Sequence, residues 1–309
     1  MADASALKQV LYINLDRDEH RRRLIHAELD RIGLTATRLP AVDKLAVPPD
    51  LAGYFAHVVQ KRAPLITPGA IGCYASHLRA YKQIIAERAA ATLVLEDDAI
   101  LDDDLAEVIR QTLAMLPAGW DMVHLGQSPR HAVKPLSALA NDRTLVRYSR
   151  IPSGTVGYLI SLAGAKKMLD PAIPRVWAID LDTRRPWVFG LDVYGVVAPP
   201  IRPNKMLPST IGYRIKSTAR RGLPRPTAYS WTNTPLHTPR GLVFNACKLG
   251  RSWWLRCFAI NCAIKLRAAL APLARHLAPD CNDPAEGDQP RNENVITSVA
   301  ATRPSQPWR

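Results

Sequence analysis

The sequence predicts an α/β fold, a mostly parallel central sheet covered by helices, and three observations point there. Apolar runs of strand length alternate with helical periodicity over about the first 200 residues, as when each crossover between parallel strands is a helix. The run Leu93-Val94-Leu95 is short and apolar, like a strand buried on both faces. It stops on Glu96-Asp97-Asp98, and in such sheets ligands gather at the carboxyl ends of strands.

The elements follow in order. Val10–Leu15 is the first strand. A helix from Asp18 to Ile32 turns Ile25, Leu29 and Ile32 inward and stops at Gly33. Thr35–Leu39 is a second strand, and a Pro-rich loop runs to Pro68. Thr67 caps a helix over residues 70–88, with Pro68 in its first turn and Ile71, Tyr74, Leu78, Tyr81 and Ile85 as the core-facing stripe. A strand at 92–96, a helix near 103–115 and a strand Asp121–Leu125 continue the alternation. Tyr158–Ser161 is another strand, Ser161 caps a helix over Ala163–Leu169, and Val193–Ala198 closes the sheet region.

Three adjacent carboxylates repel one another unless positive charge sits between them. A hard divalent cation, Mn²⁺ or Mg²⁺, shared with substrate phosphates, meets that need. Glu96 and Asp98 are two residues apart, so on extended backbone they point the same way and can share one ion. The competing reading is an acidic loop before the helix that Asp102-Asp103-Asp104 begins, where carboxylates favour the N-terminal dipole. Gly69 and Gly72 weaken the first turn of the preceding helix by about 1 kcal/mol each, but let backbone amides approach a phosphate there. Ser76 and His77 lie off the apolar stripe and are expected to face the cleft; a purely structural histidine is the alternative.

A chain of 309 residues with 47% hydrophobic residues can build a full core, as one catalytic domain of about 200 residues with appendages. Its net charge of +14 belongs to one segment: residues 193–279 hold 14 Lys and Arg and no Asp or Glu, which points to an anionic partner. Gly241 to Pro279 reads as an amphipathic helix, with Trp253, Trp254, Leu255, Phe258, Ile260, Ile264 and Leu266 apolar. Lys248, Arg251, Arg256, Lys265, Arg267 and Arg275 supply its charge. Arg256 and Lys265 interrupt the apolar run, leaving it too short to span a bilayer. Paired tryptophans with basic flanks suit the headgroup layer of an anionic membrane. No nucleic-acid motif is present and the aromatics cluster, so nucleic acid is not the expected anion. A helix packed on the catalytic domain with a solvated basic face is the structural alternative.

No apolar leader stretch precedes the first strand in this sequence. Five cysteines (Cys73, Cys247, Cys257, Cys262, Cys281) lack metal-ligand spacing and are expected as reduced thiols. Both features predict a cytoplasmic protein, peripheral on the inner face of a bacterial membrane. Residues 280–309, prominent in Pro, Asn, Asp and Gln, predict a disordered tail.

Four segments stand in order along the chain: Tyr12-Ile-Asn-Leu-Asp-Arg-Asp-Glu-His-Arg-Arg22, Gly69-Ala-Ile-Gly-Cys-Tyr-Ala-Ser-His77, Leu95-Glu-Asp-Asp98, and Gly154-Thr-Val-Gly-Tyr-Leu-Ile-Ser161 with Ala178-Ile-Asp-Leu-Asp182 after it. Together they resemble glycosyltransferase family 25, which includes lipopolysaccharide β-galactosyltransferases and procollagen galactosyltransferases. The resemblance covers about residues 8–210. It implies a GT-A nucleotide-sugar-binding domain, placed over residues 1–212; the basic membrane-associating segment at 213–279 and the tail at 280–309 are the composition-based expectations that follow it.

It also implies transfer of a hexose, galactose from UDP-galactose, to lipopolysaccharide, lipooligosaccharide or another cell-surface glycan, with a glycolipid or oligosaccharide as acceptor. The UDP-sugar bond leaves negative charge on the β-phosphate as it breaks, and a divalent ion held by Glu96, Asp97 and Asp98 stabilises it. Inversion at the anomeric carbon needs a carboxylate to take the acceptor proton. Asp180 stands at the family's Pro-x-Asp position, although Ala178 replaces the proline, and Asp182 and Asp192 are alternative bases. Asn14, Asp16 and Arg17, at the end of the first strand, are placed against uridine and ribose. GT-A enzymes commonly recruit a late histidine as a further metal ligand; His237, in a Pro-rich loop, is the nearest later one, and that ligand stays unassigned. Two other classes compete: a non-catalytic protein that binds anionic membranes on a transferase-like fold, and a metal-dependent nucleotidyl or phosphoryl transferase using the same carboxylates.

Overall fold

The computed structural model describes residues 7–55, 66–208 and 239–277. β1 (Gln9–Asn14) shows the period-two logic of a strand covered on both sides. Leu11 and Ile13 enter one core while Val10 and Tyr12 enter the other. α1 (Glu19–Arg31) buries Ile25 and Leu29 in the second core, and the chain leaves it through Gly33 at φ +67°. β2 (Thr37–Pro40) follows, then the short α2 (Pro49–Ala52) and a 3₁₀ turn at Gly53–Phe55. α3 (Pro68–Ala86) starts as expected, with the Thr67 hydroxyl accepting the Ala70 N–H and Pro68 in its first turn. β3 (Ala91–Glu96) is buried through Leu95.

The chain continues through β4 (Ala99–Leu101), α4 (Leu105–Met115), β5 (Met122–His124), β6 (Val133–Ala138) and β7 (Thr144–Tyr148). β8 (Gly157–Ser161) leads directly into α5 (Leu162–Met168), where the Ser161 hydroxyl accepts the Gly164 N–H. Two single-turn helices, α6 (Ile179–Asp182) and α7 (Pro186–Phe189), precede β9 (Val193–Val197) and β10 (Ile201–Pro203).

Eight strands form one sheet in the order β2-β1-β3-β8-β5-β9-β7-β6. It is mixed rather than mostly parallel. β1 runs parallel to β2 and β3, and β5 runs parallel to β9. β8, however, enters the centre antiparallel to both β3 and β5, and the β6–β7 hairpin adds antiparallel pairs at the edge. Direction cannot be read from apolar periodicity, and the half-exposed β6, with Pro135 inside it, carries no strand-like apolar run. β9 is the last strand along the chain to join this sheet, as expected, and it inserts between β5 and β7, while β10 pairs with β4 in a separate two-stranded ribbon.

α8 (Pro239–Leu249) and α9 (Arg251–Leu277) are separated by Gly250 at φ +79°, so the single helix expected from Gly241 is two. They dock on the sheet domain through polar side chains. Asn261 accepts the Ala132 N–H and donates to the Ser149 hydroxyl, and Asn245 donates to the Ser149 carbonyl. Trp253 and Trp254 pack half-buried against Ala132, Leu249 and Cys257 and so remain only partly exposed. Leu255, Phe258, Leu266 and Leu270 are exposed large apolar residues of α9. No described helix is long and apolar enough to cross a membrane. Cys73, Cys247, Cys257 and Cys262 are free thiols. Cys281, His237, the boundary expected at residue 212 and the tail expected at 280–309 lie outside the described residues.

Candidate active site

Ile13 of β1 pairs with Glu96 of β3, so these parallel strands end side by side and deliver Asn14 and the three carboxylates to one edge. The ladder stops at Glu96. Asp97 and Asp98 occupy the turn to β4, so strand alternation does not orient Asp98 as expected. A cleft opens at this edge in two parts. Asn14, Arg17, Arg21, Gly69, Gly72, Ser76, His77 and Asp97 line the first, and Gln127, Gly154, Thr155, Ala178 and Asp180 line the second. Cys73, Glu96 and Asp98 line both and form the divide.

The carboxylates of the divide differ sharply in surroundings. Glu96 receives a hydrogen bond from the Thr155 hydroxyl, and His77 Nε2 lies 3.4 Å from it. Burial pushes the Glu96 carboxyl up, but His77 and Thr155 outweigh burial and hold it below its ordinary value. Asp98 has less help. Burial, then the charge of Glu96, push it up to about 6, although Arg21 stands 3.1 Å from its Oδ2. Its Oδ1 is buried and meets no hydrogen-bond partner among the described residues. Burial also raises Asp97, despite Asn14 donating to it at 2.7 Å and Arg21 at 2.6 Å.

A hard divalent cation fits this arrangement. Crowded carboxylates with an orphaned buried oxygen lack positive charge, and Glu96 and Asp98 would supply oxygen ligands. Ligand atoms of Cys73, His77 and Glu96 also lie within 4.8 Å of one another. Burial and the carboxylates Glu96, Asp180 and Asp98 push the Cys73 thiol well above its ordinary value.

The other expected residues separate into three groups. Asp180 lines the second part of the cleft, and burial followed by the charge of Glu96 raises its carboxyl, while Arg184 opposes. Asp182 and Asp192 line neither part. Asp182 is fully buried, accepts from Tyr74 at 2.9 Å and is ion-paired with Arg185. Asp192 is gripped by Arg147 at 2.7 and 3.0 Å and by Lys248 at 2.9 Å; burial opposes, but these cations hold it at about 2. Lys248 is therefore ion-paired to the sheet domain while its side chain stays exposed.

Of the remaining positions, all but Asp16 line the first part of the cleft, and several also hold the fold around it. Asp16 is exposed beside Arg38 and outside the cleft lining, and Arg17 reaches the cleft edge while paired with Asp43. Asn14 spends its amide on Asp97 and on the Asp18 carbonyl. A Cβ on Gly72 would stand 2.9 Å from the Val42 carbonyl, so this glycine serves close helix–loop packing. Ser76 accepts the Val42 N–H at the same seam, so it is not free to turn to a ligand. His77 is 1% exposed, and its Nδ1 shares a hydrogen bond with Tyr158, so it braces Glu96 from beneath. Sequence reasoning missed Arg21. It lies in a run of three arginines on α1, and only the position of β3 shows that it is the one that reaches Asp97 and Asp98.

Comparison with known proteins adds the lineage. The model of glycosyltransferase family 25, described as a lipopolysaccharide biosynthesis protein family, matches residues 7–183. A glycosyltransferase 25 family member of Aedes aegypti is 32% identical over 179 residues, covering 54% of this chain and 29% of that protein. Procollagen galactosyltransferase 1-A of Xenopus laevis is 32% identical over 127 residues, covering 40% of this chain and 20% of that one. The matched region thus spans less than a third of either relative's length. A glycosyltransferase involved in glycosylation of the major capsid of PBCV-1 aligns with 59% of this chain and 69% of its own, at 9% identity and a TM-score of 0.30, too low to carry an argument. The family match contains every carboxylate of the cleft, and on it the chain belongs to glycosyltransferase family 25.

Proposed function

We propose that this chain is a metal-dependent, inverting hexosyltransferase on a GT-A type domain, moving galactose from UDP-galactose to a cell-surface glycan of the lipopolysaccharide or lipooligosaccharide kind. The observation that carries the proposal is the buried, unpartnered Asp98 Oδ1 on the divide between the two parts of the cleft. In this reading the UDP-sugar enters the first part and the acceptor, a glycolipid or oligosaccharide, enters the second. Glu96 and Asp98 hold Mn²⁺ or Mg²⁺, which when bound supplies positive charge for the leaving diphosphate. Arg21 holds Asp97 and Asp98 in position, and His77 with Thr155 holds Glu96. Asp180 accepts the proton of the acceptor hydroxyl while that oxygen bonds to the anomeric carbon and the carbon–diphosphate bond breaks. Its raised proton affinity brings it closer to working pH and makes it a stronger base.

The same reading places the protein in the cytoplasm, against the inner face of a membrane. Leu255, Phe258, Leu266 and Leu270 are exposed on α9 among the exposed Arg251, Arg256, Lys265 and Arg267. Exposed apolar residues interleaved with cations suit an anionic headgroup layer. The test is a panel of UDP-sugars with and without Mn²⁺, set against nucleoside triphosphates. Metal-dependent release of UDP, greatest with UDP-galactose, is expected. Hydrolysis of triphosphates with every UDP-sugar inert would assign the cleft to phosphoryl or nucleotidyl transfer instead.

A further inference from the structure

Outside the cleft, residues of β7, α7 and α8 line a small cavity. Arg147, Arg150, Arg184 and Lys248 line it, and no carboxylate does so among the described residues. Asp192 answers two of these cations, since it pairs with Arg147 and Lys248. Arg184 donates its Nε–H to the Ile151 carbonyl at 3.0 Å. Arg150 is different. Its Nε is buried and meets no hydrogen-bond acceptor among the described residues. A buried guanidinium nitrogen without an acceptor is costly, and an anion removes that cost.

The field of the cluster is strong enough to register nearby. Burial, then the charge of Arg184, lowers the proton affinity of Arg150. His131 nearby is held at about 4 by burial and then by Arg150, Arg184 and Lys265. Charged forks on facing elements match the several acceptor oxygens of a phosphate. Arg184 also acts electrostatically on Asp180 of the second part of the cleft. α8, which forms one wall, leads into the basic α9.

We propose that this cavity binds a phosphate group, with Arg150 as its principal ligand and Arg184 beside it. The group comes either from a phosphorylated glycan or from a lipid headgroup; the chemistry is the same. The proposal does not rest on the transferase assignment, because its readout is binding alone. Calorimetry of the full chain in chloride buffer would use inorganic phosphate, a hexose monophosphate against the free hexose, and phosphatidylcholine vesicles with and without phosphatidic acid. Inorganic phosphate is expected to bind the native chain, and Arg150→Gln to weaken it by about tenfold or more, the worth of a charge-assisted hydrogen bond. Arg150→Lys keeps the charge without the fork and should fall between. Arg110→Gln, at an exposed arginine paired with Glu107, should match the native chain. Dependence on Arg150 in the hexose phosphate arm assigns the group to a glycan, and in the vesicle arm to a lipid. Absence of phosphate binding in the native chain, or equal binding in a folded Arg150→Gln variant, would overturn the proposal.

Discussion

At the end of β3, three carboxylates crowd together with Arg21 as the cation bridging two of them; at the start of β9, Asp192 alone receives an arginine, a lysine and the Tyr194 hydroxyl. The consequences run in opposite directions. Asp98 rises to about 6, and Asp192 falls to about 2. A satisfied carboxylate welds two parts of a fold, here β9 to α8. An unsatisfied one leaves charge for something the chain does not contain, and Arg150 shows the same condition with the opposite sign.

The largest effect that would sharpen this contrast is expected from Asp98→Asn. Turnover should fall by about 10³ or more, because the metal-ligating charge goes while the fold remains. A folded variant with unchanged metal dependence would remove Asp98 from the metal site. Asp180→Asn should leave donor affinity in place and lower kcat by about 10²–10⁴, since a base acts only in the transition state. A loss below tenfold would exclude Asp180 as the base. Neither Asp182 nor Asp192 then inherits the role, because both are tied to cations away from the cleft.

Asp192→Asn should invert the pattern, sparing kcat while costing about 2 kcal/mol of stability at neutral pH. The folded Asp192 titrates at about 2, below the unfolded value of about 3.9. Its contribution is therefore complete above the unfolded value and disappears as pH falls through the folded one. Denaturation midpoints of the two proteins should converge near pH 2; a gap that persists there would mean that the loss is not electrostatic. The smallest effect is expected on α9. Leu255→Gln with Phe258→Gln should weaken binding to anionic vesicles partly, with the salt-sensitive share kept by Arg251, Arg256, Lys265 and Arg267 at about 1 kcal/mol each. A native chain that ignores anionic vesicles would end the membrane assignment.

Much of the fold could be read from residue pattern alone. Thr67 and Ser161 are caps whose chemistry is local, and Leu93-Val94-Leu95 announces burial on both faces. The direction of β8 and the β6–β7 hairpin could not be read, because pairing is decided by distant segments rather than by periodicity. The site divides in the same way. Glu96 and Asp98 are adjacent enough in sequence to be found together, and Asp180 came from its place in a motif. Asp182 and Asp192 looked equivalent to it because their partners, Arg185, Tyr74, Arg147 and Lys248, are joined to them only by folding. Gly72 and Ser76 stand beside the cleft, but their spacing on α3 did not reveal that they are spent on the Val42 backbone.

Calorimetric titration of UDP in the presence and absence of Mn²⁺, with the native chain, Asp98→Asn and Asp192→Asn side by side, tests the central contrast most directly. The account predicts Mn²⁺-dependent binding in the native chain, its loss in Asp98→Asn and its retention in Asp192→Asn. Metal-dependent binding that survives Asp98→Asn, or that vanishes in a folded Asp192→Asn variant, would contradict it.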